Sequence, residues 1–144
     1  DQTSYFEEVI TQLFEQVYPE QLLFSFLEED ICLGYGGLVN VDWPNKRAEM
    51  SFLLKTSLTL KQEVYDNYLS IFIFLIKELF FKELKLNKLF TETYDFRKDH
   101  MKVLEKNGFI FEAVLKEHTF NEITQKFQDS VFYSMIHHKN EPQK

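Results

Sequence analysis

The chain has 144 residues, enough for one domain that buries roughly two-thirds of the surface its unfolded form exposes. Its net charge of −7 comes from scattered Asp and Glu and leaves no basic stripe, which argues against nucleic acid as a partner. The 16 Phe and 7 Tyr give an unusually aromatic apolar fraction, suited to a packed interior and to lining a ligand cleft. The longest apolar run, "LSIFIFLI" at 69–76, is far short of the ~18 residues of a membrane span. The acidic start lacks a signal-peptide pattern, so a soluble cytoplasmic protein with no membrane partner is expected. The single cysteine, Cys32, leaves no internal disulfide, and its apolar strand context predicts a small buried thiol.

In chain order, Thr3 or Ser4 caps a first helix whose Phe6, Val9, Ile10, Leu13, Phe14 and Val17 recur at helical spacing until Pro19. "QLLFSFLEED" and "ICLGYGGLVNVDW" read as two strands joined at the acidic turn Glu28-Glu29-Asp30, and "PNK" leads to a third, "RAEMSFLL". Val64, Tyr68, Leu69, Phe72, Leu75, Ile76, Leu79 and Phe80 predict a long helix over 61–84 buried against a sheet. "NKLFTETY" is a short strand, parallel to the strand before that helix if the crossover is right-handed. A helix over Lys98–Lys106 ends at Asn107-Gly108, a left-handed cap. "FIFEAVLKEHTF" and "DSVFYSMI" close the chain as strands around "NEITQKFQ", before a frayed tail. One domain over 1–144 of mixed α/β (α+β) class follows, mostly antiparallel around one parallel pair. "GYGGLV" at 34–39 lies within a strand and lacks the spacing of a nucleotide loop, so its glycines predict a bulge or close backbone approach.

"LGYGGLVNVDW", "RAEMSFLL", "ELKLNKLFTETYDFR", "VLEKNGF" and "EAVLKEH…FQDSVFYSMI", in that order and spacing over Leu22 to Ile136, resemble the GNAT superfamily of acyl-CoA-dependent N-acetyltransferases. Bacterial members that acetylate nucleotide-linked amino sugars or ribosomal-protein N-termini are the most similar in pattern. The resemblance implies a sheet that splays between the strands at 47–54 and 88–94. Acetyl-CoA then lies in the split as co-substrate, its pantetheine on backbone around Phe52, Leu53 and Leu54. It further implies direct attack by a primary amine on the thioester.

The chain departs from the family pattern at three places. Where the family carries a glycine-rich pyrophosphate loop this chain reads "TSLTLKQEV", so the N–H groups of Leu60, Lys61, Gln62 and Glu63, with the hydroxyls of Thr56, Ser57 and Thr59, are left to hold the phosphates at a helix N-terminus. A family Asn aligns on Arg97, and a family Tyr that protonates the leaving thiolate aligns on Leu104. The family also opens with a strand and helix absent here, which reads as a shortened or truncated chain. These losses keep open a domain that binds acyl-CoA or a partner without turnover.

Amine acetylation needs a proton acceptor, oxyanion stabilisation and a thiolate acid. Glu49 shares a strand face with Ser51, opposite Met50 and Phe52, and is either the base or the ion-pair partner of Arg47 or another cation. Glu92, facing away from Thr91 and Thr93, is a second base candidate, or holds an acceptor hydroxyl or amine, or forms a buried structural pair, and His118 is a proton relay or a surface residue. Arg97 and His100, one helical turn apart, face one ligand, unless Arg97 pairs with Asp95 or Glu92. Tyr133 and Tyr35 are spare phenols for the thiolate, and Asp129 is expected to hold a turn. His137-His138 lack a third ligand, so no metal is expected. The acceptor is expected to be an amino-sugar nucleotide or a protein N-terminus, on a monomer or homodimer.

Overall fold

The computed structural model describes residues 17–137; the helix expected from Thr3 or Ser4 and the tail from His138 fall outside that range. Strand β1 (Leu22–Glu28) turns into β2 (Ile31–Asp42) through Glu29 and Asp30, both at positive φ (47° and 64°). Two successive left-handed residues give a corner whose twist matches the strands, made here without glycine. β2 lies between β1 and β3 (Arg47–Leu54), and its glycines serve close backbone approach, as expected. A Cβ on Gly34 would stand 2.1 Å from the Leu53 carbonyl oxygen, and one on Gly37, at φ 153°, would stand 1.9 Å from that of Leu22. Cys32 is exposed, contrary to the buried thiol expected, because the alternation of β2 turns Leu33 inward and Cys32 outward.

After β3 the chain makes a helical turn, α1 (Thr56–Thr59), and then α2 (Gln62–Lys77), which runs into a π turn over Glu78–Glu83. The buried stripe of α2 is Leu69, Phe72, Ile73 and Ile76, so Leu75, expected inside, is half exposed on its flank. The wider π turn, closed by the Leu84 N–H on the Leu79 carbonyl at 2.9 Å, carries Phe80 wholly into the core. β4 (Lys88–Tyr94), α3 (Lys98–Lys106), β5 (Ile110–Asn121) and β6 (Lys126–Ile136) complete the described fold. α3 stops where expected, with Gly108 at φ 98° and the Phe109 N–H on the Leu104 carbonyl at 3.0 Å. β6 begins at Lys126, earlier than the sequence suggests. The Asn121 side chain closes a short turn there by accepting from the Ile123 and Thr124 N–H groups at 2.9 and 3.1 Å.

The sheet order is β1-β2-β3-β4-β6-β5, antiparallel throughout except for the parallel pair β3–β4. This is the mixed, mostly antiparallel α+β architecture expected. Leu38, Ala48, Met50, Leu89, Val131 and Met135 from one sheet face join Leu69, Phe72, Ile73, Phe80, Leu104 and Phe109 in a single core. The parallel register runs only from Arg47↔Lys88 to Glu49↔Phe90, although β3 continues to Leu54 and β4 to Tyr94.

Candidate active site

Past Glu49 and Phe90 the parallel strands part, and α2 and α3 each begin just beyond the free ends. A cleft of about 440 Å³ lies there, whose lining includes Gln62, Tyr65, Arg97, Lys98, Asp99 and His100. The Tyr65 hydroxyl oxygen accepts from Arg97 Nη2 at 3.1 Å and stands 3.0 Å from His100 Nδ1. Burial, with the Arg97 charge adding to it, pushes the His100 pKa down to about 4, so the ring is neutral at neutral pH. Arg97 donates to Tyr65 and pairs with neither Asp95 nor Glu92, the simpler partners in sequence.

The junction before this cleft has no residue at positive φ. Thr59 donates to the Thr56 carbonyl at 2.7 Å, and the first turn of α2, capped at Lys61, has no side-chain acceptor. Leu60, Lys61 and Glu63 are exposed at that end, while the Gln62 amide is committed to Asp66. On the splayed part of β3, Phe52 stacks on Phe72 at 4.3 Å, Leu53 is exposed and Leu54 is buried.

The opposite sheet face carries Glu49 and Glu92, which line one cavity of about 210 Å³ together with Thr93, Tyr94, Arg97, Thr119 and Ser130. Glu49 Oε2 accepts from Asn40 Nδ2 at 2.8 Å, whereas Arg47, its expected alternative partner, pairs with Asp42 at 3.0 Å. His118 Nε2 lies 3.7 Å from Glu92 Oε1, within ion-pair range but too long for a hydrogen bond. A bulge between Leu115 and Thr119 brings His118 there. Asp129 supports the bulge, accepting from the Glu117 N–H at 2.9 Å and from Lys116 Nζ at 2.7 Å, with Glu117 at φ 48°. Those bonds hold the Asp129 carboxyl below the usual carboxylate range. Asp129 thus has the structural part expected of it. The hydroxyls of Thr93 and Ser130 are buried here without a hydrogen-bond partner.

Tyr133 faces the helix-covered side of the sheet and donates to Glu105 Oε1 at 2.8 Å; burial, reinforced by that bond, pushes its pKa up to about 12. It does not join the cavity of Glu49, Glu92 and His118. Leu104 is fully buried in the core, so α3 offers no phenol at that position either. Sequence reasoning passed over Tyr65, Asn40 and Tyr94. Tyr65 and His100 are 35 positions apart, and no spacing rule joins them. Among the described residues no group of three or more His, Cys, Asp or Glu could hold a metal, and no helix is long and apolar enough to cross a membrane.

A model of the acetyltransferase (GNAT) domain family matches residues 1–132. The chain belongs to the GNAT acetyltransferase family. Solved structures of the same fold include a SpeG spermidine N-acetyltransferase chimera of Vibrio cholerae and hSSAT. It has 16% identity and a TM-score of 0.81, over 94% of this chain and 80% of that one. A dodecameric spermidine N-acetyltransferase from Vibrio cholerae gives 17% identity and a TM-score of 0.82, over 94% and 75%. A probable acetyltransferase gives 19% and 0.73, over 94% and 74%. Among curated proteins none matches by sequence.

Acetyl-CoA, the acyl donor of GNAT enzymes, suits the residues present. Arg97 and Lys98, outnumbering Asp99 beside uncapped helix N–H groups, are an anion's donor set, and the parted edge of β3 leaves backbone polar groups for an amide-bearing chain.

Proposed function

We propose that this GNAT N-acetyltransferase acetylates a small cationic primary amine of polyamine type, with Glu92 as proton acceptor and Glu49 as the group that holds the incoming ammonium. The observation that carries this reading is the single cavity shared by Glu49 and Glu92, with His118 behind Glu92. Two carboxylates on one wall attract a cationic acceptor and raise its local concentration. The spermidine acetyltransferases of the same fold give the amine class further support.

In this reading the ammonium loses its proton to Glu92, and His118, whose side chain is 51% exposed, passes it to solvent. The amine nitrogen then bonds to the thioester carbonyl carbon, the carbon–sulfur bond breaks, and the thiolate takes a proton. Backbone of Phe52, Leu53 and Leu54 along the parted strand faces the pantetheine. Tyr94, which lines the cavity, is better placed than Tyr133 to protonate the sulfur.

An amino-sugar nucleotide is the second reading. Arg97 favours it, because this cation also lines the acceptor cavity and would meet a diphosphate. Thiol release from acetyl-CoA, assayed with spermidine, a nucleotide-linked amino sugar and a basic peptide, separates the acceptors. Turnover of spermidine with at least tenfold preference is expected, and exclusive turnover of the sugar or the peptide overturns the assignment. Ligand at 100 times its dissociation constant adds ~2.7 kcal/mol of stability, so an unchanged melting temperature in millimolar acetyl-CoA would refute the donor itself.

A further inference from the structure

We infer that Tyr65, backed by His100, is a positioning residue that holds Arg97 as a phosphate-binding cation for coenzyme A, replacing the missing glycine loop. The inference rests on the proposed donor and adds a device built from three elements of this chain. Arg97 precedes α3 and has Asp95 and Asp99 within two residues on either side, but Asp99, which also lines the cleft, pairs with Lys102 at 3.2 Å. The Tyr65 oxygen instead accepts from Nη2 at 3.1 Å, and His100 Nδ1 stands 3.5 Å from the same nitrogen.

The phenol oxygen can serve both neighbours: its lone pairs accept from Arg97 Nη2 at 3.1 Å, and it stands 3.0 Å from His100 Nδ1 for a second hydrogen bond. Tyr65 comes from the second turn of α2 and His100 from the first turn of α3, so the contact also ties together the two helices that wall the cleft. With Nη2 engaged by Tyr65 and lying 3.5 Å from His100 Nδ1, Nη1 and Nε have no hydrogen-bond partner among the described residues, and the guanidinium lines a cleft of about 440 Å³. A guanidinium held in this way presents a planar fork that suits phosphate oxygens. A glycine loop would wrap phosphate with backbone N–H groups at positive φ. The junction here has no such residue, so a fixed side-chain cation takes over the work.

Calorimetric titration of the full chain with coenzyme A, 3′-dephospho-coenzyme A and pantetheine tests the device. Arg97→Gln should weaken coenzyme A about tenfold or more and leave pantetheine unchanged, as expected for loss of a charge-assisted contact. Tyr65→Phe keeps the ring packing and should weaken coenzyme A several-fold, again sparing pantetheine and the KM of the amine. Combined with Arg97→Gln it should add nothing further, because both changes remove one device. Arg97→Lys, which keeps charge without the fork, should fall between wild type and Arg97→Gln. A loss that persists with the dephospho form marks the pyrophosphate as the contact, and a loss that vanishes marks the 3′-phosphate; either supports the device. Unchanged coenzyme A affinity in Tyr65→Phe, additive losses in the double variant, or equal weakening of pantetheine would overturn it with the donor intact. Failure of the wild type to bind coenzyme A would overturn the donor as well.

Discussion

The two cavities at the parted strands share Arg97 but are built by different means. The cleft between α2 and α3 is a packed side-chain network: Arg97, Tyr65 and His100 satisfy one another across elements far apart in sequence. The cavity on the opposite face is a matter of strand geometry, with Glu49 and Glu92 placed by alternation and His118 by a bulge. A network of the first kind is stiffened by its half-buried members, Tyr65 and His100, which restrain the exposed Arg97. Placement by a bulge leaves the reactive groups partly solvated, which suits residues that must exchange protons with water.

The largest effect should come from breaking what both cavities stand on. Phe72 is buried and stacks on Phe52 of the parted strand, so Phe72→Ala should cost about 3–5 kcal/mol in denaturant unfolding and weaken donor and acceptor binding alike. Glu92→Gln separates the cavities: kcat/KM for the amine should fall ~100-fold or more, while coenzyme A affinity measured by calorimetry stays the same. A smaller effect distinguishes the stiff side by pH. His100 binds a proton only near pH 4 when folded, against ~6.5 in the unfolded chain, so its contribution to stability is fully present above ~6.5 and declines as pH falls through that window. The slope is at most about 1.4 kcal/mol per pH unit, and melting curves of His100→Gln at pH 7 and pH 5 should lack that part of it. The smallest change is expected from Asp129→Asn. It loosens the bulge that carries His118, so kcat should drop several-fold with the melting temperature nearly unchanged.

The elements of the sheet and the long helix were legible because apolar periodicity survives in one dimension: Leu69, Phe72 and Ile76 recur at the spacing that buries them, and Glu49 alternates with Met50. Asn107-Gly108 announced the end of α3 because a left-handed cap favours glycine. The bulge at Glu117 was hidden, since a non-glycine residue at positive φ leaves no mark in composition and depends on Asp129, 12 positions away. Tyr65 was hidden for the same reason, its partners arriving only when α2 and α3 pack together. Glu49 and Glu92 could be named as carboxylates in apolar strands. That they share a cavity followed only from the β3–β4 register.

The short register between β3 and β4 has a bearing on cooperativity. Only Arg47↔Lys88, Ala48↔Leu89 and Glu49↔Phe90 join the β1-β2-β3 half of the ladder to the β4-β6-β5 half, and α2 crosses between them. Amide exchange should therefore resolve two cooperative units, with the N–H groups of Met50–Leu54 that point into the gap less protected than those paired with β2. A ligand that hydrogen-bonds into that gap acts as a missing rung, so its binding should merge the two units into one and slow exchange in strands it never touches.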